Sequence, residues 1–161
     1  MTRTNSHDRA GRLSARPDLA NYLAHRPDLV DMIREAEIAA LMPQDPGGLG
    51  FDLRAGLAGR IARLNGAEEL ADGYLEYLPE DTDMPLADPG NHHTEDRLTS
   101  GILAFADKVA TRPRDVVAAD IDALRDAGIP EPDIVRLAEL VAFVSFQLRV
   151  LQGAALMETQ P

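Results

Sequence analysis

Apolar residues recur along this chain at helical spacing, and runs of strand length rich in β-branched residues are scarce. Leu53, Leu57, Ile61 and Leu64 stand four, four and three residues apart, the buried stripe of an amphipathic helix. Upstream, Leu29, Ile33, Ala36, Ala40 and Leu41 lie on or near one stripe and predict a helix over 28–42. A shorter helix is expected over 17–25. Both begin within the tetrapeptide Arg-Pro-Asp-Leu, at 16–19 and again at 26–29. Proline suits the first turn of a helix, where a missing N–H costs nothing, and aspartate there complements the dipole. The stretch 43–50, PQDPGGLG, has the chemistry of a loop. Asn65-Gly66 marks a kink or break, after which a helix over 67–78 should turn Leu70, Tyr74, Leu75 and Leu78 inward.

Residues 79–95 form the longest irregular stretch, with three prolines and a cluster of acids; loops of such length are often functional or disordered. A helix over 96–111 follows, with Leu98, Ile102, Phe105 and Val109 inward, and Pro113 ends it. A short helix over 118–127 is closed by Gly128. The last helix, over 131–156, carries Ile134, Leu137, Val141, Val144, Leu148 and Leu151 on one stripe, widened by Leu140, Phe143, Phe146 and Val150. A helix apolar over most of its circumference is either central or placed in a subunit interface.

Composition narrows the picture. With 161 residues, of which 45% are hydrophobic, the chain is long enough for one core. We expect a frayed tail over 1–15 and a single all-α domain of six or seven helices over 16–161. The net charge of −11 argues against nucleic acid and against an anionic membrane surface, which both require clustered Lys and Arg. The absence of cysteine excludes disulfides, thiolate metal sites and cysteine nucleophiles. No run of about 18 apolar residues and no apolar leader region is visible, so a soluble cytoplasmic protein is expected.

The text Leu53 to Gly66, of the form LRxxLxxRIAxLNG, resembles the signature helix of the alkylhydroperoxidase D / carboxymuconolactone decarboxylase family. The segments 102–110, 120–128 and 134–149 look like the C-terminal half of the same family, so the likeness spans about 16–156. In redox members the signature helix runs into Cys-x-x-Cys, with a histidine four residues after the second cysteine and a glutamate near the start of the helix. Here the cysteine positions fall on Ala67 and Leu70, the histidine on Tyr74 and the glutamate on Ala55. The resemblance implies an alkylhydroperoxidase D-like helical fold and a homo-oligomer, a trimer or a hexamer built from trimers. It also implies lost peroxidase chemistry, because the thiolate is the nucleophile and a thioether does not replace it.

What chemistry remains rests on a short set of residues. Arg60, Glu69, Tyr74, His92 and His93 are candidates for acid–base work or anion binding in a lyase or isomerase of the carboxymuconolactone decarboxylase kind. Against this, Tyr74 also reads as a packed tyrosine with a satisfied hydroxyl, and Glu68, Glu69 and Asp72 as a solvated helix face. Arg54 and Arg63 share the signature helix with Arg60. Arg60 and Arg149, flanked by apolar residues, read as partners of acids inside the molecule or across an interface. Adjacent histidines rarely chelate one metal without a third ligand, and no metal or cofactor is expected. The stretch 118–140 has helix–turn–helix spacing, but Glu131, Asp133 and Glu139 outnumber Arg136 on its second helix, so a packing hairpin fits better than DNA readout. The leading expectation is a non-redox binding or partner protein, with a small-molecule ligand open; the alternatives are the lyase and a purely structural oligomer.

Overall fold

Six α-helices and two 3-10 turns, with no strand among the described residues, make up the computed structural model, which describes residues 27–79, 82–91 and 96–158. In chain order these are α1 (Pro27–Leu41), α2 (Phe51–Leu64), α3 (Glu68–Leu75), α4 (Arg97–Thr111), α5 (Ala118–Asp126) and α6 (Glu131–Glu158), with 3-10 turns at Pro85–Ala87 and Pro113–Asp115. The all-α, single-domain expectation holds. The tail expected over 1–15 and the helix expected over 17–25 lie outside the described residues. The helix expected over 67–78 closes at Leu75, and the chain tightens into i→i−3 bonds from Tyr77 N–H to Tyr74 O and from Leu78 N–H to Leu75 O.

The helix surrounded on most sides is α2. Every residue from Arg54 to Ala62 is buried, which a one-sided amphipathic helix cannot achieve. Packing from α1, α3, α4, α6 and the Pro85–Ala87 turn encloses it. Small side chains allow that approach: a Cβ at Gly56 would stand only 2.7 Å from Leu86 Cδ1. Gly66, at φ 71°, then takes the left-handed conformation that reverses the chain into α3.

The long helix α6 packs on α1, α2, α4 and α5. It buries Ile134, Leu137, Leu140, Val141, Val144 and Leu148, each worth about 1.5–3 kcal/mol of transfer free energy. Its opposite face exposes Val135, Phe146 and Leu156. Leu98, expected inward, is 36% exposed. It lies in the first turn of α4, where the Asp96 carboxylate accepts the Leu98 and Thr99 N–H groups as the N-cap.

Lys108 of α4 donates to both carboxylate oxygens of Asp120 at 2.7 Å, and Val117 N–H donates to the same carboxylate at 2.8 Å. The Lys108 bond first, and then the Val117 N–H, hold the Asp120 carboxyl below the usual aspartate range. A carboxyl whose folded pKa is depressed stabilises the fold above its unfolded pKa, and that contribution is lost as pH falls through the folded value. Asp120→Asn is therefore expected to lower the urea midpoint at neutral pH, with the gap to the parent protein narrowing as pH falls below the ordinary aspartate pKa of about 3.9. A gap that persists unchanged at about pH 2 would contradict this picture of the α4–α5 link.

Candidate functional site

The residue on the resemblance's histidine position, Tyr74, is 1% exposed. Helix α3 turns it toward α6, where its hydroxyl donates to Gln147 Oε1. The Gln147 amide in turn donates from Nε2 to Glu37 Oε2 on α1 at 2.8 Å. Tyr77, in the turn after α3, donates its hydroxyl to Glu37 Oε1 at 2.9 Å. Four polar side chains thus run from α3 through α6 to α1 and back to the α3 turn. The direction of each bond follows from chemistry: a carboxylate accepts, so the amide must present its NH2 to Glu37 and its oxygen to the Tyr74 phenol. Gln147 and Glu37 are nearly as buried as Tyr74, at 2% and 6% exposure.

The positions that the resemblance assigns to a glutamate and two cysteines are packed. Ala55 on α2 is buried, and Ala67 and Leu70 are partly buried against the hydrophobic core. Where the resemblance expects two sulfur atoms, the side chains carry no polar atom at all. The set Glu37, Tyr74, Tyr77 and Gln147 holds one carboxylate and two phenols, the groups from which acid–base catalysis is built.

Arg60 has a different partner set. Its Nε and one NH2 form a fork on Asp107 of α4 at 2.6 and 2.7 Å. Its remaining N–H groups donate to the carbonyls of Leu86, Asp88 and Asn91 at 3.1, 2.6 and 3.1 Å, and to Pro89 O at 3.4 Å. The guanidinium, fully buried, therefore pins the chain segment 85–91 onto α2 and α4. The internal pairing expected for Arg60 is what the geometry gives. Arg63 extends the clasp to Ala87 O, Glu68 and Asp72, each at 3.3 Å. Arg54 is buried among carbonyls, donating to Ala40, Leu49 and Pro46. It closes the C-terminal end of α1, and burial foremost lowers its pKa.

The candidate residues expected from the sequence are thus spread among separate settings. Arg60 serves the 85–91 segment, Tyr74 faces Gln147 across the core, and Glu69 is exposed beside exposed Glu68 and Asp72 on α3. His92 and His93 lie outside the described residues. Arg149, expected to pair inside the molecule or across an interface, is exposed on the outer face of α6. The acids on the second helix of the hairpin over 118–140 do structural work: Glu131 pairs with Arg125, and Asp133 accepts Gly48 N–H at 3.1 Å and Arg136 at 2.9 Å.

Three residues of the network, Glu37, Tyr77 and Gln147, do not stand out as candidates in the sequence, although their spacing marks two of them. Glu37 falls four residues after Ile33 and four before Leu41, on the buried stripe of α1. Gln147 falls three after Val144 on the buried stripe of α6. A polar residue at an inward helical position signals a partner elsewhere in the core; which partner requires the tertiary structure. Among the described residues no group of three His, Asp or Glu could hold a metal ion, and no helix is long and apolar enough to cross a membrane. In comparisons with known proteins, no protein-family model, curated protein or solved structure matches this chain.

Proposed function

We propose that this chain is a non-redox protein on an alkylhydroperoxidase D-like scaffold, acting as a binding or partner protein. The observation that carries the reading is the setting of Tyr74. The position that the resemblance assigns to a catalytic histidine is occupied by a buried phenol tied to Gln147. The two positions assigned to thiols pack against the core as Ala67 and Leu70. A chain with no cysteine has no thiolate to deliver to peroxide. The test is peroxide consumption by the purified, metal-stripped protein with a dithiol reductant. The expected rate equals the reductant blank. Turnover on the order of 1 s⁻¹ or faster, in the ordinary range of enzymes, would overturn the reading.

The second reading is a carboxymuconolactone decarboxylase-type lyase or isomerase. It is favoured by Glu37, a buried carboxylate held between the Tyr77 phenol and the Gln147 amide. Arg60 and Glu69 suit it less, because the first is engaged by Asp107 and backbone carbonyls and the second lies on the surface. Thermal-shift measurements against small carboxylic acids and lactones separate the two. Stabilisation by a lactone that disappears in Glu37→Gln favours the lyase. No stabilisation across the panel favours the partner-protein reading.

A further inference from the structure

One face of α6 is apolar and open to solvent. Val135, Phe146 and Leu156 are 56%, 44% and 69% exposed, and Ala138, Ala142 and Gly153 are exposed beside them. At about 3.6 residues per turn, positions 135, 142, 149 and 156 form one row, and 139, 146 and 153 form the neighbouring row. Two charges interrupt the apolar surface, Glu139 and Arg149, both exposed. The chain as a whole carries −11 and repels its own copies, whereas this stripe carries one acid and one base.

The order of residues on the stripe is self-complementary about a point beside residue 144. Turn a second α6 antiparallel through that point, and positions equidistant from it come level. Ala142 then lies level with Phe146 of the second copy, Val135 with its Gly153, and Glu139 with its Arg149. Large side chains meet small ones, and acid meets base. Within one helix Glu139 and Arg149 are ten residues apart, about 15 Å along the axis, so they cannot satisfy each other. Isologous contacts of this kind define a twofold interface, and small residues allow helix axes to approach to about 8–10 Å.

We propose that α6 is the interface of a twofold dimer of this chain, two copies packed antiparallel through Val135, Ala142 and Phe146 and registered by Glu139–Arg149 pairs. The assembly is therefore even-numbered: a dimer, or a larger assembly containing this twofold. The test is sedimentation equilibrium on the full chain and on variants of this stripe. Phe146→Glu should dissociate the dimer, and Phe146→Ser should do so without adding charge; circular dichroism monitors folding in both. Glu139→Arg alone and Arg149→Glu alone should each weaken association by about tenfold or more. The double swap, Glu139→Arg with Arg149→Glu, should restore it, because the pair across the twofold is re-formed with its signs exchanged.

A protein that stays monomeric over the whole concentration range overturns the proposal. So does a closed trimer, which has no twofold, or a dimer indifferent to both Phe146 variants and to the charge swaps. A monomer that loses stability in Phe146→Ser would assign the stripe to another segment of the same chain, and would equally overturn it.

Discussion

Arg60→Met is expected to destabilise the protein by about 3–5 kcal/mol, the usual cost of removing one partner from a buried ion pair. Lost partners, rather than lost attraction, set that cost. Asp107 would keep its charge next to an apolar side chain, and the carbonyls of Leu86, Asp88 and Asn91 would lose the cation that gathers them. Methionine fills much of the vacated volume, so a cavity contributes little. Arg60→Lys should recover only part of the loss, because an ammonium cannot form the fork on Asp107 while also reaching three carbonyls. Urea unfolding followed by circular dichroism measures both. A loss below about 1 kcal/mol for Arg60→Met, the level of a surface pair, would show that the clasp on segment 85–91 does not hold the fold.

Gln147→Leu is the second substitution with a large expected effect, about 3 kcal/mol. Leucine matches the shape and suits an apolar core, so the transfer term alone would favour it. The opposing term is larger. The substitution removes the acceptor of the Tyr74 hydroxyl and the donor to the Glu37 carboxylate together, and taking the partner from a buried polar group costs about 1–3 kcal/mol, more when the group is charged. Gln147→Glu should be worse still, since it sets a second carboxylate against Glu37 with no amide hydrogen to share. If Gln147→Leu proved neutral in chemical denaturation, the four-residue network would contribute nothing to the fold.

The helices are legible in the sequence because their signals are local. The stripe through Leu53, Leu57, Ile61 and Leu64, the break at Asn65-Gly66 and the stop at Gly128 all act within a few residues. The relative roles of the helices are less legible. Apolar girth points to α6 as a central or interface helix, yet α2 is the one enclosed, despite Arg54 and Arg60. Those arginines look like a polar face in one dimension. In three dimensions their donors are taken by carbonyls and Asp107, from segments 5 to 47 residues away along the chain. The candidate site shows the same division. Tyr74 stands out through the resemblance, and the plainer alternative, a packed tyrosine with a satisfied hydroxyl, is the geometry found. Its partners come from Gln147, 73 residues on, and through it from Glu37, 110 residues back; no spacing rule joins them.

On this view, the surroundings of Tyr74 are an interlocked piece of core. A double-mutant cycle between Tyr74→Phe and Gln147→Leu, read by urea unfolding, measures that interlocking. Tyr74→Phe alone removes one hydroxyl and should cost about 1 kcal/mol. In the Gln147→Leu background the same change should cost less, because the hydroxyl no longer has the Gln147 amide oxygen to donate to. A coupling of about 1 kcal/mol or more is therefore predicted. Additive effects would mean that Tyr74 and Gln147 act independently, and that the core is not interlocked through them.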